Sequence, residues 1–377
     1  MDSDKMSWDS KIKKQFKNIW ANGMDSFLHP LHSGLVGLDV GNGAVKLVAL
    51  QKNNDGWLAT AAAWAAVEPA QDQAVREENI IRAIRECFSE APAAVSHNAV
   101  CGLSGPEVVV RSFCFPPLPD QALEQAVQLE AQQVCALDLS HSMVDFQLIE
   151  DDSSQFTDTN QSHRKGYLVV GFEDAVNQKV HLAQQAQVKP AILDVNSLAA
   201  LNCLCQLDET LVNDTFAVLD VGHTHSYLVI LGADGMPFVR DLACSSQQII
   251  TDVSHQSQKS VSEVRKVLTG DKSSGDGTLE TELKNACGTL VGDVLETLRF
   301  YSLQRNTEKV SRVYLCGGLA SAKPFVLLME QALSAQVRVF DPSQKIRCAE
   351  GGKIEKVLKQ HGPAMTVAAG LAMRRGE

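Results

Sequence analysis

Apolar residues recur with two different periods along this chain. Over residues 8 to 27, Trp8, Ile12, Phe16, Ile19, Trp20 and Phe27 fall within about a third of a turn, with Lys11, Lys14 and Lys17 across from them. This spacing predicts an amphipathic helix whose apolar face meets an anionic membrane surface, a partner's groove or its own domain. His29 to Ser33 then reads as a linker. From Gly34 to Leu50 two β-rich runs flank a turn containing Asp39, Gly41 and Gly43, which predicts a hairpin. The same design returns from Phe216 to Leu231, where Asp220, Gly222, Thr224 and Ser226 surround the turn. Near the C-terminus, Arg312 to Ala320 is a strand ending in the paired glycines Gly317 and Gly318. Between the hairpins, residues 107 to 188 predict a strand, a long helix, strands at Val144 to Ile149 and Gly166 to Gly171, and a helix from Glu173. A polar stretch, Glu150 to Lys165, separates the two middle strands.

Two strand-turn-strand units at domain-scale separation suggest duplicated halves facing a shared cleft. Glycines at such turns let backbone amides approach a phosphate, and an acidic residue at the strand end can hold Mg²⁺ through water. Gly317 and Gly318 permit close approach of a flat ligand such as a nucleoside. The chain's 377 residues allow two or three domains. Its 34 Lys plus Arg against 45 Asp plus Glu give a net charge of −11, which argues against nucleic acid as the main ligand. No run approaches a membrane span and no signal core precedes a cleavage site, so a cytoplasmic location is expected. The ten cysteines lie mostly in apolar runs and read as small hydrophobes. His223-Thr224-His225 lacks a nearby third ligand and reads as a hairpin tip rather than a zinc site.

The three motifs, in this order, resemble the superfamily of actin, sugar kinases and heat-shock chaperone ATPases. Their surroundings resemble the PilM family of type IV pilus assembly proteins, from about Gly34 to Arg374. The resemblance rests on Val108 to Asp120, Leu123 to Gln132 and Val144 to Leu148, and on the small-residue segment Gly362 to Arg374. It implies an α/β, actin-like ATPase fold of two duplicated halves flanking a nucleotide cleft, with a small α+β subdomain inserted in the first half. The expected divisions are an N-terminal segment, 1–32; a first half, 33–106 with 189–212; an insert, 107–188; and a second half, 213–377, whose smaller subdomain is 240–310.

The resemblance implies binding of ATP with Mg²⁺. Asp39 and Asp220 would hold the metal, with Gly41, Asn42, Gly43 and Lys46 on one side of the phosphates and Gly222, Thr224 and Ser226 on the other. Glu263, Lys266, Gly317 and Gly318 would lie on the nucleoside side. Lys46 is either a charge partner there or solvated on the outer face of its sheet. Asp194 stands where active relatives place an acid, and is either a general base or a helix cap. Three departures bear on this site: Ser245 and Ser246 replace paired glycines and stand to crowd a nucleotide, Leu268 replaces a lysine, and Asn42, Gly43 and Ala44 replace hydroxyl residues.

The insert favours a scaffold over a metabolic kinase. The implied function is a cytoplasmic adapter that binds ATP, turns it over slowly if at all, and docks the tail of a PilN-like inner-membrane protein between the first subdomain and the insert. An active small-molecule kinase of the same fold and an FtsA-like membrane-tethered filament protein are the alternatives.

Overall fold

The computed structural model describes residues 35–92, 95–106, 108–134, 139–149, 163–211, 214–269, 277–305 and 309–374. The amphipathic segment 1–32 lies outside them. Leu35–Val40 (β1), Ala44–Asn53 (β2) and Gly56–Ala66 (β3) form an antiparallel meander. Asn98–Leu103 (β4) and Lys189–Val195 (β8) extend it in parallel, giving the order β3-β2-β1-β4-β8. The second half repeats this plan with Phe216–Val221 (β9), Ser226–Leu231 (β10), Pro237–Leu242 (β11), Arg312–Cys316 (β12) and Gln336–Val339 (β13), ordered β11-β10-β9-β12-β13. Two sheets with the same strand order and the same senses make the expected pair of duplicated α/β halves.

A third sheet separates β4 from β8 in sequence. Val108–Phe115 (β5), Ser142–Leu148 (β6) and Arg164–Phe172 (β7) pair antiparallel in the order β5-β7-β6. Asp120–Val134 (α2) packs on it through Leu123, Val127 and Ala131, the i, i+4, i+8 positions that its sequence offers as one apolar face. The insert also reaches the second half, where Ser112 Oγ donates to the Pro237 carbonyl at 2.6 Å.

Gln73–Glu90 (α1) is capped by Asp72, whose side chain accepts from the Val75 amide at 3.0 Å. Its Ile80, Ala83, Ile84 and Cys87 are buried, and it packs against β2 and β3. Glu173–Gln185 (α3) leads from the insert back to β8. Asn196–Leu207 (α4) joins the halves and is buried over most of its length, in contact with strands of both sheets and with Thr366–Ala372 (α11). Alternation along β9 sends Phe216 and Val218 into the core shared with the first half, and Ala217, Leu219 and Val221 into the second core. Asp220 therefore points to the inter-half side. Nine free cysteines fall among the described residues, and two depart from the apolar reading: Cys114 and Cys205 are exposed.

Candidate nucleotide cleft and neighbouring groove

The antiparallel register of β1 and β2 places Asp39 opposite Lys46, and the Lys46 ammonium meets Asp39 Oδ2 at 2.8 Å. Lys46 is thus turned inward rather than solvated on an outer face. In the second half the same kind of register places Tyr227 opposite Asp220, and the Tyr227 hydroxyl donates to Asp220 Oδ2 at 3.2 Å. Cys316, just before the paired glycines, donates to the same oxygen at 3.5 Å. Asp39 and Asp220 are 5% and 7% exposed, so one lysine balances two buried carboxylates. Burial is the main cause that pushes Asp220 up to about 6, with Lys46 opposing the shift and Asp39 adding to it. Sequence reasoning missed Tyr227 and Cys316. The hairpin register could have found the tyrosine, while the cysteine carries no local signal.

A carboxylate whose pKa is raised on folding favours the folded state at low pH, and this contribution is lost as pH rises from about 4 to about 6. Asp220→Asn removes the charge, so it is expected to stabilise the protein at pH 7.5 by up to about 2 kcal/mol and to have no advantage at pH 4. Urea unfolding at both pH values checks this; equal midpoints of wild type and variant at pH 7.5 would refute the buried-charge account.

Gly317 has φ +85, and a Cβ there would stand 2.8 Å from the Val221 carbonyl and 2.9 Å from Asp220 Oδ1, so only glycine fits beside the carboxylate. Gly318 faces open space. Gly41 donates to the Ala44 carbonyl at 3.2 Å, closing the first turn. The two turns meet: Asn42 Nδ2 donates to Thr224 Oγ1 at 3.1 Å, and the His223 ring lies against Gly43. Gly222 is backed by the His225 carbonyl, 2.3 Å from where a Cβ would stand. Ser226 is fully buried in β10, and its hydroxyl has no hydrogen-bond partner among the described residues.

Several other residues singled out in the sequence have structural tasks. Ser245 caps Ser246–Ser257 (α5) by accepting from the Gln248 amide at 3.3 Å. The Ser246 and Gln247 amides donate to the Gly222 and His223 carbonyls at 2.9 and 3.1 Å, which anchors the second turn to the start of α5. Glu263 closes a capping box on Val261–Thr269 (α6), accepting from the Ser260 amide at 2.8 Å. Lys266 is exposed on the same helix, and Leu268 is a core residue of the second half. Asp194 is the penultimate residue of β8, 3% exposed and paired with Arg374 Nε at 2.8 Å. It does not cap α4, whose N-cap is Val195.

Beside the turns lies a groove of about 220 Å³ between α1, α3 and the entry to the insert. Asn42, Arg76, Glu77, Gln178, Lys179 and His225 are among its lining residues. Gln178 and Gln73 amides hold the Glu77 carboxyl below the usual carboxylate range, and Lys179 Nζ donates to the Val40 carbonyl at 2.9 Å. Its walls therefore come from the first half, the insert and the tip of the second hairpin.

Among the described residues no helix is long and apolar enough to cross a membrane. No curated protein matches the sequence. In structure the chain is similar to the PilM-PilN type IV pilus biogenesis complex, with a TM-score of 0.77 and 23% identity over 92% of this chain and 100% of that one. It is also similar to the ethanolamine utilization protein EutJ from Carboxydothermus hydrogenoformans, with a TM-score of 0.52 and 15% identity over 98% of this chain and 99% of that one. These likenesses establish the actin-like ATPase fold. The family model of the type IV pilus assembly protein PilM matches residues 37–376, nearly the whole chain, and the protein therefore belongs to the PilM family.

Proposed function

We propose that this protein is a cytoplasmic adapter of type IV pilus assembly that binds ATP with Mg²⁺ between its two hairpins and docks the tail of a PilN-like inner-membrane protein in the groove beside them. The observation that carries the reading is family membership over residues 37–376, together with the similarity of fold to a PilM-PilN complex. The donor set suits the ligand. Two buried carboxylates, Asp39 and Asp220, are hard oxygen donors of the kind Mg²⁺ takes, and Lys46 between them supplies a point charge for phosphate. Bound Mg²⁺ would neutralise phosphate charge. Gly318, with open space around it, would leave room for the nucleoside.

The adapter reading, rather than a kinase, is supported by Asp194. A general base must be free to accept a proton, whereas this carboxylate is buried against Arg374. Slow turnover is proposed on that ground. The groove supports the docking half of the reading, because it lies between the first half and the insert and its polar lining offers hydrogen-bonding groups to an extended segment.

Isothermal titration with ATP and Mg²⁺ should show binding by wild type and its loss in Asp39→Ala and Asp220→Ala. In parallel, synthetic peptides matching the cytoplasmic tails of inner-membrane pilus proteins test the groove. Ala175→Trp, which fills part of the groove from α3, is expected to weaken peptide capture at least about ten-fold while ATP affinity stays unchanged. Undiminished capture by that variant would move the docking site elsewhere, and wild-type protein that binds no ATP would refute the nucleotide half.

A further inference from the structure

Three consecutive residues that the strand pattern marks only as a hairpin tip, His223, Thr224 and His225, each touch the first half. The His223 imidazole lies on Gly43, where a Cβ would come within 2.6 Å of its Cγ and 2.9 Å of its Nδ1. Thr224 Oγ1 accepts from Asn42 Nδ2 at 3.1 Å. The His225 ring lies on Gly105, with three ring atoms 3.2 Å from the place of a Cβ, and φ +93 there independently favours glycine. Two flat rings thus seat on two glycines with a hydrogen bond between them. The tip is itself held from behind, since α5 donates amides to the Gly222 and His223 carbonyls.

These contacts join the two turns, 41–43 and 222–226, between which an anion held by both would have to lie. Burial, with the Arg265 and Lys46 charges adding to it, keeps His223 below its ordinary pKa, so its ring is neutral at pH 7 and adds no charge to hold a phosphate. The groove-facing side of the same tip is open, because Asn42, Thr224 and His225 line the neighbouring groove.

We infer that His223-Thr224-His225 is a latch joining the two halves across the mouth of the cleft, and that a triphosphate passes between the hairpin turns only when this latch opens. The inference rests on reading the cleft as a nucleotide site. Each contact is small and lies near the surface, so the latch is an equilibrium that one side-chain truncation shifts by about ten-fold, the worth of roughly one net hydrogen bond with its packing. His225 is the cleanest place to cut it: the ring is exposed and sits over Gly105, away from the carboxylates.

The test measures amide hydrogen exchange at residues 41–44 and 222–226, and ATP-Mg affinity by titration, in full-length wild type, His225→Ala, His223→Ala and Asp39→Ala. Both histidine variants are expected to exchange faster at the two turns and to bind ATP-Mg about ten-fold more tightly than wild type, while Asp39→Ala binds none. A loss of unfolding stability in His225→Ala no larger than the ten-fold shift itself verifies that only the latch has been altered. Unchanged exchange in both histidine variants overturns the latch. Weaker ATP binding by His223→Ala with unchanged exchange overturns it too, and makes the imidazole a phosphate ligand. Faster exchange with no ATP binding by any of the four proteins refutes the nucleotide reading, and with it the latch's role in entry.

Discussion

Lys46→Met should lower stability by about 3–5 kcal/mol at pH 7.5, the range for removing one partner of a buried ion pair. The wild-type ammonium sits 2.8 Å from Asp39 Oδ2 and is also attracted by Asp220, and this pairing outweighs burial to raise its pKa. Without it, two buried carboxylates that repel one another lose the cation that balances them. The penalty should shrink at pH 5, because Asp220, already pushed up to about 6, then takes a proton and one of the two charges disappears. The double variant Lys46→Met with Asp220→Asn should recover about 2 kcal/mol of the loss at pH 7.5. Urea midpoints of the four proteins at both pH values decide the matter. A single variant within about 1 kcal/mol of wild type at pH 7.5 would mean that the carboxylates are better solvated than their burial indicates.

Gly370→Ala is expected to cost about 3 kcal/mol or more, a large loss for one methyl group. Gly370 lies in α11 where the helix touches α4 backbone to backbone, and a Cβ would stand 1.9 Å from the Ala199 carbonyl oxygen. Gly37 of β1 is packed against the other side of α11 in the same way, with a Cβ position 2.0 Å from the Ala368 carbonyl. A side chain can rotate away from such an overlap, but these carbonyls are tied into helices and cannot. The layer of α4, α11 and β1 would have to separate, and β1 carries Asp39. Gly292 is the control. It lies in Gly288–Arg305 (α8), exposed with nothing within 4 Å, and Gly292→Ala should stabilise by about 0.5–1 kcal/mol through helix propensity. If thermal unfolding shows the two glycines responding alike, close packing is not what requires glycine at position 370.

The balance of stability and binding differs at the two places. Gly370 serves the fold alone. Asp220 works against it: a carboxylate buried deeply enough to be pushed up to about 6 costs stability that Asn would recover.

The two hairpins, the order of elements in the insert and the small-residue C-terminal segment were legible in the sequence by itself. Their signals are local: alternation with period two, a turn marked by glycine, and apolar positions at i and i+4 each depend on residues within one or two turns of one another. The repetition of Asp-Val-Gly at positions 39 and 220 further determined that two strand ends would present carboxylates in equivalent settings. What local pattern could not decide was which face of each sheet meets the other half. Lys46 had one face on either reading, and only the packing of sheet against sheet turned it toward Asp39 and Asp220. The same is true of contacts spanning long stretches of chain: Asp194 with Arg374, 180 residues on, Cys316 with Asp220, and His223 and His225 on Gly43 and Gly105. A side chain's nearest charge or ring is set by where distant segments come together, and that juxtaposition exists only in the tertiary structure. It buried Leu268 and brought a plain hairpin tip against the first half, whereas the capping box of Ser260 and Glu263 is a local signal.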